Sequence, residues 1–147
     1  MRVVIQRSKD SYVSVDGKNT GSINSGMVIL VGFTSGDNES VIDKMINKIL
    51  KLRIFDDLNG VMNLDITQVN GEILSISQFT LYANTKKGNR PSYIDALNGE
   101  EAIELYELFN KKLSEYVHVE TGIFGADMDV HIRNDGPVTI MMEINNE

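Results

Sequence analysis

A continuous apolar run, Met27–Phe33, limits what this chain can fold into. The run is too short for a typical helix and lacks polar alternation, so it predicts a strand buried on both faces. Shorter strands are predicted before it at Arg2–Arg7 and Tyr12–Val15, and Asp16-Gly17 supplies a hairpin turn into a third near Thr20–Ile23. We therefore expect the core to form around the apolar run.

Two later segments have the spacing of amphipathic helices. The apolar face of the first is predicted to carry Ile42, Met45, Ile46, Ile49 and Arg53. The second, Glu101–Tyr116, places Ala102, Leu105, Leu108, Phe109 and Leu113 on one face. Further strands are predicted at Val61–Ile66, Val117–Thr121, Met128–Arg133 and Val138–Ile144. This order predicts a mixed α/β fold with helices packed against a sheet, rather than a repeating βαβ pattern.

Composition narrows the class of protein. A chain of 147 residues with 41% hydrophobic residues suits a single domain spanning residues 1–147. It has no cysteine, which excludes a disulfide framework and a thiolate nucleophile. It shows no signal segment and no apolar run of the roughly 18 residues that a membrane span needs, so we expect a cytoplasmic protein. The net charge of -7 argues against a protein that grips long stretches of DNA or RNA backbone.

A second predicted core strand ends in a short polar segment. From Leu74 the chain alternates apolar and small polar residues, which predicts a strand with Leu74 and Ile76 on one face. This strand leads into Ser77-Gln78-Phe79-Thr80-Leu81. Two hydroxyls, an amide and an aromatic ring could form a small polar pocket, or the hydroxyls could simply cap the backbone at the strand end.

A polar loop, Ala83–Ser92, follows this segment and contains the densest basic cluster of an acidic chain: Lys86, Lys87 and Arg90. A solvated surface loop explains such a cluster without any function. Its closeness to Thr80 makes the three cations candidate contacts for the phosphates of a bound substrate.

The sequence offers little conventional catalytic machinery. A Ser or Thr nucleophile needs an adjacent base, most often His, yet His118 and His131 each alternate with apolar neighbours and are predicted to face solvent. Asp56-Asp57 precedes a turn signal and is interpreted as turn chemistry. No His or Cys accompanies the remaining carboxylates as a transition-metal site would require. We therefore predict no catalytic triad, no metal and no cofactor, while an isolated site made only of oxygen ligands stays open from the residues alone.

Two motifs, read together, suggest a family. Ser77-Gln78-Phe79-Thr80-Leu81 (the first motif) and Asn134-Asp135-Gly136-Pro137-Val138-Thr139 (the second motif) closely resemble the signature motifs of D-aminoacyl-tRNA deacylases, the D-tyrosyl-tRNA deacylase family. The likeness extends over essentially the whole chain, including Met1–Arg7, Leu52–Phe55 and Thr121–Met128.

The resemblance implies a fold and an activity. It implies a single-domain three-layer β/β/α sandwich that forms a homodimer, and an enzyme that hydrolyses the ester of D-aminoacyl-tRNA to free D-amino acid and tRNA. The mechanism it suggests needs no side-chain nucleophile. Backbone N–H groups around Phe79 and Thr80 bind the oxyanion, Ser77 and Gln78 shape the pocket, and a ribose hydroxyl of the RNA assists the water.

The resemblance also implies how substrates are selected. Gly136-Pro137 would be a cis pair inserted from one subunit into the site of the other, where its carbonyls exclude an L side chain. The residues alone instead predict a turn at 134–137 with a trans X-Pro bond. Asn134 belongs to the same gate, and Arg7 would brace it. Residues expected to enclose the terminal adenosine are Phe124, Gly125, Ala126 and Met128.

Two alternatives remain open from the sequence. A noncatalytic dimer could bind RNA 3′ ends, although the acidic charge disfavours it, and a general esterase could use Thr80 covalently, although the absent His partner disfavours that. The salt dependence of RNA affinity distinguishes the noncatalytic RNA-binding dimer from the deacylase, because a protein held by many phosphates loses affinity steeply as salt rises. We predict a shallow dependence.

Overall fold

The computed structural model describes all residues, 1–147. The strands are β1 (Arg2–Ser8), β2 (Ser11–Val15), β3 (Lys18–Ile23), β4 (Gly26–Gly32), β5 (Phe55–Asp56), β6 (Met62–Leu64), β7 (Glu72–Ser77), β8 (Val119–Thr121), β9 (Asp129–His131) and β10 (Asn134–Glu143). The helices are α1 (Glu39–Lys51), a 3₁₀ helix (Phe79–Tyr82) and α2 (Gly99–Leu113). The prediction of a mixed α/β fold is confirmed.

The strands form one large sheet and two small ones. The five-stranded sheet has the order β10-β1-β4-β7-β8, the second sheet the order β3-β2-β9, and β5 pairs with β6 alone. In the large sheet, β1 is antiparallel to β10 and β4, whereas β4 pairs with β7, and β7 with β8, in parallel. The apolar run that forms β4 is therefore flanked on both sides, and β10 is left at an edge.

Two apolar clusters define three layers. The larger cluster fills the space between one face of the five-stranded sheet and the two helices, with members such as Ile5, Ile29 and Phe109. The smaller cluster lies between the two larger sheets and consists of Val13, Ile23, Val28, Leu74 and Ile76. Helices cover one face of the large sheet and a second sheet covers the other, which explains why β4 is apolar throughout.

Both helices begin at an asparagine cap. Asn38 Oδ1 accepts from the N–H of Val41, and Asn98 Oδ1 accepts from the N–H of Glu101, which satisfies one free amide in each first turn. The predicted apolar face of α1 is buried except at Arg53, which was wrongly placed there. Because α1 ends at Lys51, Arg53 lies outside the helix and is exposed.

Several predicted strand boundaries were wrong. The strands predicted at 117–121 and 128–133 are shortened to β8 and β9, and two other segments differ more. The predicted strand at 61–66 is limited to the three residues of β6, because Asp65 caps a turn by accepting from the N–H groups of Thr67 and Gln68. The predicted turn at 134–137 instead lies within β10. Gln6 pairs with Thr139 and Ser8 with Asn134, so β10 has five residue steps where β1 has two, and residues 134–137 lie in a bulge. An edge strand tolerates proline at such a bulge, because the missing N–H is not needed for pairing.

Neither helix has the length and apolar character needed to cross a bilayer.

Candidate active site

Strand β7 carries the first motif out of the core. Leu74 and Ile76 share one face, as predicted, and that face packs against the second sheet, whereas Ser75 is fully buried on the helical side. The hydroxyl of Tyr106 on α2 donates to the carbonyl oxygen of Ser75 at 2.7 Å. Burial raises the pKa of Tyr106, so this phenol stays a neutral donor. The helix thereby holds β7 directly before the motif begins.

The backbone turns sharply at the first motif. The N–H of Gln78 still donates to the carbonyl of Val31 on β4 at 2.7 Å, and the N–H of Leu81 donates to the carbonyl of Gln78 at 3.2 Å. The amides of Phe79 and Thr80 lie between these two bonded groups. The side-chain amide of Gln78 donates to Oγ1 of Thr80 at 2.5 Å, so the Thr80 hydroxyl is held by an amide rather than by a base.

A cavity of about 620 Å³ opens beside this turn. Of the predicted site residues it brings together Ser77, Gln78, Phe79, Phe124, Gly125, Ala126 and Met128. The segment predicted to enclose an adenosine therefore lines the same cavity as the first motif, although Thr80 itself does not line it. The lining is mostly apolar, which suits a cavity that binds a ring system and excludes water around a reacting group.

The far wall of the cavity is a tight turn. The N–H of Ala126 bonds to the carbonyl of Ile123, and Gly125 has a φ of +79° that favours glycine. The ring of Phe124 packs against that of Tyr106, with 5.7 Å between the ring centres. A Cβ at Gly122 would collide with the sulfur of Met128. The two glycines therefore let the turn present Phe124 and Met128 to the cavity.

The sequence analysis missed several residues that line the cavity: Tyr93, Leu97, Asn98 and Gly99. Tyr93 packs edge-on against Phe79, with ring centres 5.1 Å apart and an interplanar angle of 70°. The Asn98-Gly99 step is the start of α2, and the cap residue followed by Glu100 and Glu101 was an available signal for a helix that begins earlier than predicted.

The second motif lies outside this cavity. Asn134, Gly136 and Pro137 sit in the bulge of β10, and the Gly136-Pro137 peptide is cis. The side chain of Asn134 spans the bulge, accepting from the N–H of Val138 at 3.3 Å and donating to Oγ1 of Thr139 at 2.9 Å. Gly136 and Pro137 are exposed.

Arg7 lies behind the second motif. It is only 9% exposed, and its Nε donates to the carbonyl of Asp135 at 3.2 Å while Nη1 donates to the carbonyl of Ile54 at 2.8 Å. Carboxylates of Asp135 and Asp56 lie 3.3 and 3.4 Å from the guanidinium. The guanidinium therefore connects the bulge of β10 to the segment before β5.

The basic cluster lies on an exposed loop rather than in the cavity. Lys86, Lys87 and Arg90 are all exposed and do not line the cavity. A pair of hydrogen bonds between Asn84 and Ser92 closes the loop at its base.

Neither histidine reaches the first motif. His118 is 58% exposed and lies 2.8 Å from a carboxylate oxygen of Glu120, and His131 stacks on Tyr12 with 4.2 Å between ring centres. The prediction that both face solvent is confirmed, although His118 lies just before β8 rather than in a strand. Asp57 accepts from the N–H groups of Asn59 and Val61, which lowers its pKa, so its predicted role in a turn is also confirmed.

No three His, Asp or Glu side chains converge in a metal-binding arrangement.

Comparison with known proteins covers nearly the whole chain. The family model described as D-Tyr-tRNA(Tyr) deacylase matches residues 4–143. A protein named D-aminoacyl-tRNA deacylase from Lactobacillus acidophilus (strain ATCC 700396 / NCK56 / N2 / NCFM) is 55% identical over 145 residues, covering 98% of this chain and 100% of that protein. Its counterpart from Lactobacillus helveticus (strain DPC 4571) is 53% identical with the same coverage.

Solved structures share the fold. One described as c-Myc DNA Unwinding Element Binding Protein has a TM-score of 0.94 and 37% identity, covering 99% of this chain and 100% of that one. Another, described as a probable eukaryotic D-amino acid tRNA deacylase, has a TM-score of 0.85 at 17% identity, covering 97% and 98%. The second likeness concerns the fold alone. Because the family model matches residues 4–143, nearly the whole chain, the chain belongs to the D-Tyr-tRNA(Tyr) deacylase family.

Proposed function

We infer that this protein hydrolyses the ester bond of D-aminoacyl-tRNA, releasing a free D-amino acid and tRNA, and that residues 1–147 act as one deacylase domain. Membership of the family makes it an ester hydrolase whose substrate is an aminoacyl-tRNA. The observation that carries the proposal at the level of the site is the shared cavity, where the first motif meets the turn at Phe124–Met128.

The proposed reaction uses the backbone of the first motif. Water attacks the ester carbonyl, and the N–H groups of Phe79 and Thr80 donate to the oxyanion that forms. The tetrahedral intermediate then collapses, and one proton of the water leaves with the ribose oxygen while the other passes to solvent, so that the amino acid departs as its carboxylate. Preorganised donors of this kind are typically the largest electrostatic contribution in acyl transfer, and the vicinal ribose hydroxyl can assist the water. No cofactor or metal is required.

The side chains of the first motif then shape the pocket rather than attack. The hydrogen bond from Gln78 to the Thr80 hydroxyl supports this assignment, because a nucleophilic threonine would need a base in that position. Ser77 lines the cavity at the end of β7.

We assign the terminal adenosine to the other wall of the cavity. Phe124 and Met128 offer apolar surface against the base, and Gly125 and Ala126 allow it to approach the backbone closely. Single-stranded RNA ends are commonly recognised by bases stacked on such apolar and aromatic surfaces.

The second motif serves as the chiral gate, and we assign it to the cavity of a partner copy. The position of Gly136-Pro137 outside its own cavity supports action across a homodimer, as does its exposure on an edge strand. Asn134 and Arg7 hold the bulge from its two sides. Rejecting an L ester about a hundredfold requires about 2.7 kcal/mol, which a fixed carbonyl can supply by steric exclusion.

The cytoplasm is the proposed location, because aminoacyl-tRNA is consumed there during translation. The bacterial relatives act, by their names, on the same class of substrate.

The test is single-turnover hydrolysis of D-Tyr-tRNA and L-Tyr-tRNA by wild type and Thr80→Ala. We expect rapid D release, a spared L ester and substantial turnover by Thr80→Ala, since that substitution keeps the backbone N–H. Binding of the RNA end with no hydrolysis of either ester would favour the noncatalytic alternative. An acyl group trapped on Thr80 would favour the general esterase.

A further inference from the structure

We propose that the basic loop (Ala83–Ser92) and the ring pair Phe79–Tyr93 form a subsite for the single-stranded nucleotides that precede the terminal adenosine of the substrate. The rings would stack a base and the loop would contact phosphates. The inference rests on the proposed function, since it extends the same cavity along the RNA.

The loop is held firmly at its base. Asn84 and Ser92 exchange backbone hydrogen bonds of 2.8 and 2.9 Å, and the side chain of Asn84 accepts from the N–H of Lys86 at 3.0 Å. Beyond the loop, the N–H of Leu97 bonds to the carbonyl of Phe33 at the end of β4. The base of the loop is therefore anchored next to Tyr93 and Leu97, which line the cavity.

The charge of the loop suits a polyanion. Lys86, Lys87 and Arg90 fall within five residues, the loop contains no acidic residue, and none of the three takes part in an ion pair. In a chain of net charge -7, a small unpaired cationic tip attracts a short run of phosphates without retaining long duplexes.

The ring pair connects the loop to the cavity. Phe79 and Tyr93 both line the cavity, yet they are 56% and 42% exposed, and Tyr93 directly follows the closing residue Ser92. Exposed aromatic faces beside a cationic loop are the combination used for single-stranded nucleic acid, in which each base has a π-face and each linkage a charge. RNA leaving the adenosine pocket past these rings would bring its phosphates to the loop.

The test compares D-Tyr-tRNA with D-tyrosyl-adenosine, a minimal ester that lacks the preceding nucleotides. The triple variant K86A/K87A/R90A is measured beside K44A/K48A/K111A, which removes three exposed cations from the helices and matches the change in net charge. Salt is varied from 50 to 200 mM.

Three phosphate contacts on a single strand predict a slope of about -2 in log(kcat/KM) against log[salt], or a loss of roughly 20-fold over that range for wild type on tRNA. The loop variant should lose about tenfold at 50 mM, become nearly insensitive to salt and cleave D-tyrosyl-adenosine as wild type does. The helix control should behave as wild type on both substrates.

Tyr93 provides a second, independent measurement. Tyr93→Leu should raise KM for the tRNA at least about fivefold with kcat little changed, and Tyr93→Phe should restore it because the π-face returns. A loop variant indistinguishable from the helix control, or equal losses on both substrates, would overturn the subsite. Wild type that cleaves neither ester would instead defeat the proposed function itself.

Discussion

The first motif follows an internal strand of the large sheet, whereas the second lies in an edge strand. The first leaves β7, which has partners on both sides and is buried beneath α2, whereas the second lies in a bulge of β10 at the edge of the same sheet. One motif opens into an internal cavity and the other is presented to the outside. In the proposed function, this difference separates the group that stabilises the reacting ester from the group that inspects its chirality.

Each motif has its own buried support. Tyr106 holds the strand before the first motif through the carbonyl of Ser75, and Arg7 holds the second through the carbonyl of Asp135. If the two regions have separate tasks, damage to each support should produce a different phenotype.

Gly136→Ala should have the largest effect on selectivity. Its φ of +123° is unfavourable for alanine, and an added Cβ would lie 2.9 Å from Cγ2 of Val138 and 3.1 Å from Nη2 of Arg7. We expect most of the proposed hundredfold preference for D-Tyr-tRNA over L-Tyr-tRNA to be lost. Gly17→Ala is the matched control, because Gly17 also has a positive φ but has open space around it. Unchanged selectivity in a folded Gly136→Ala protein would show that the second motif is not the chiral gate.

Arg7→Met should come next. It removes hydrogen bonds from a charged donor to the carbonyls of Ile54 and Asp135, which we expect to lower the free energy of unfolding by about 2 kcal/mol. Selectivity should fall while D-ester hydrolysis is largely kept. Urea denaturation and the D-to-L rate ratio measure the two effects, with Arg53→Met as an exposed control. A loss of D-ester hydrolysis with intact selectivity would contradict this prediction, because Arg7 would then support the first motif rather than the second.

Tyr106→Phe should lower stability by about 1 kcal/mol near neutral pH, since the carbonyl of Ser75 loses its donor. Burial raises the pKa of Tyr106 above its ordinary value of 10.0. The stability contributed by its neutral form is therefore complete below pH 10 and is lost as pH rises through the folded pKa. The alkaline decline should be weaker in Tyr106→Phe but not absent, because burial also raises the pKa of Tyr82. Thermal unfolding from pH 8 to 11 measures this, and parallel curves would contradict it.

The smallest effect is expected at the histidines. His118→Ala and His131→Ala should each leave the single-turnover rate within about twofold of wild type, because neither side chain lines the cavity. A loss of 100-fold or more, the size of a general-base contribution, would mean that a histidine enters the reaction.

Local pattern predicted the regular elements well. The apolar run of β4, the alternation of β7 and the burial of Met45 on α1 all follow from periodicities that a single segment carries. The turn predicted at Gly136-Pro137 was wrong because glycine and proline signal a local break, and only the pairing of β10 with the edge of β1 shows that a strand accommodates them.

The candidate site was predictable only in part, for a similar reason. Arg7 meets Asp135 across 128 residues of sequence, and Tyr106 meets Ser75 across 31. Contacts of this kind depend on strand order and register, which no local period specifies. The resemblance to a family supplied the first motif and the turn at Phe124–Met128, but not Tyr93 or Asn98, whose places depend on how the chain runs from the 3₁₀ helix to α2.

The most direct test of the account is complementation between two defective copies. Thr80→Pro removes one proposed oxyanion donor and keeps the gate, whereas Gly136→Ala keeps the donors and damages the gate. Thr80→Pro alone should lose about 10²- to 10³-fold in kcat. The measurement is L-Tyr-tRNA hydrolysis by Gly136→Ala after refolding with an excess of Thr80→Pro.

If the second motif acts across a homodimer, the added copy supplies an intact gate, and L-ester hydrolysis should fall towards the wild-type level while D-ester hydrolysis continues. The double variant Thr80→Pro/Gly136→Ala, added in the same excess, should have no such effect. L-ester hydrolysis that is unchanged by an excess of Thr80→Pro would contradict the account, because the gate would then act only within its own chain.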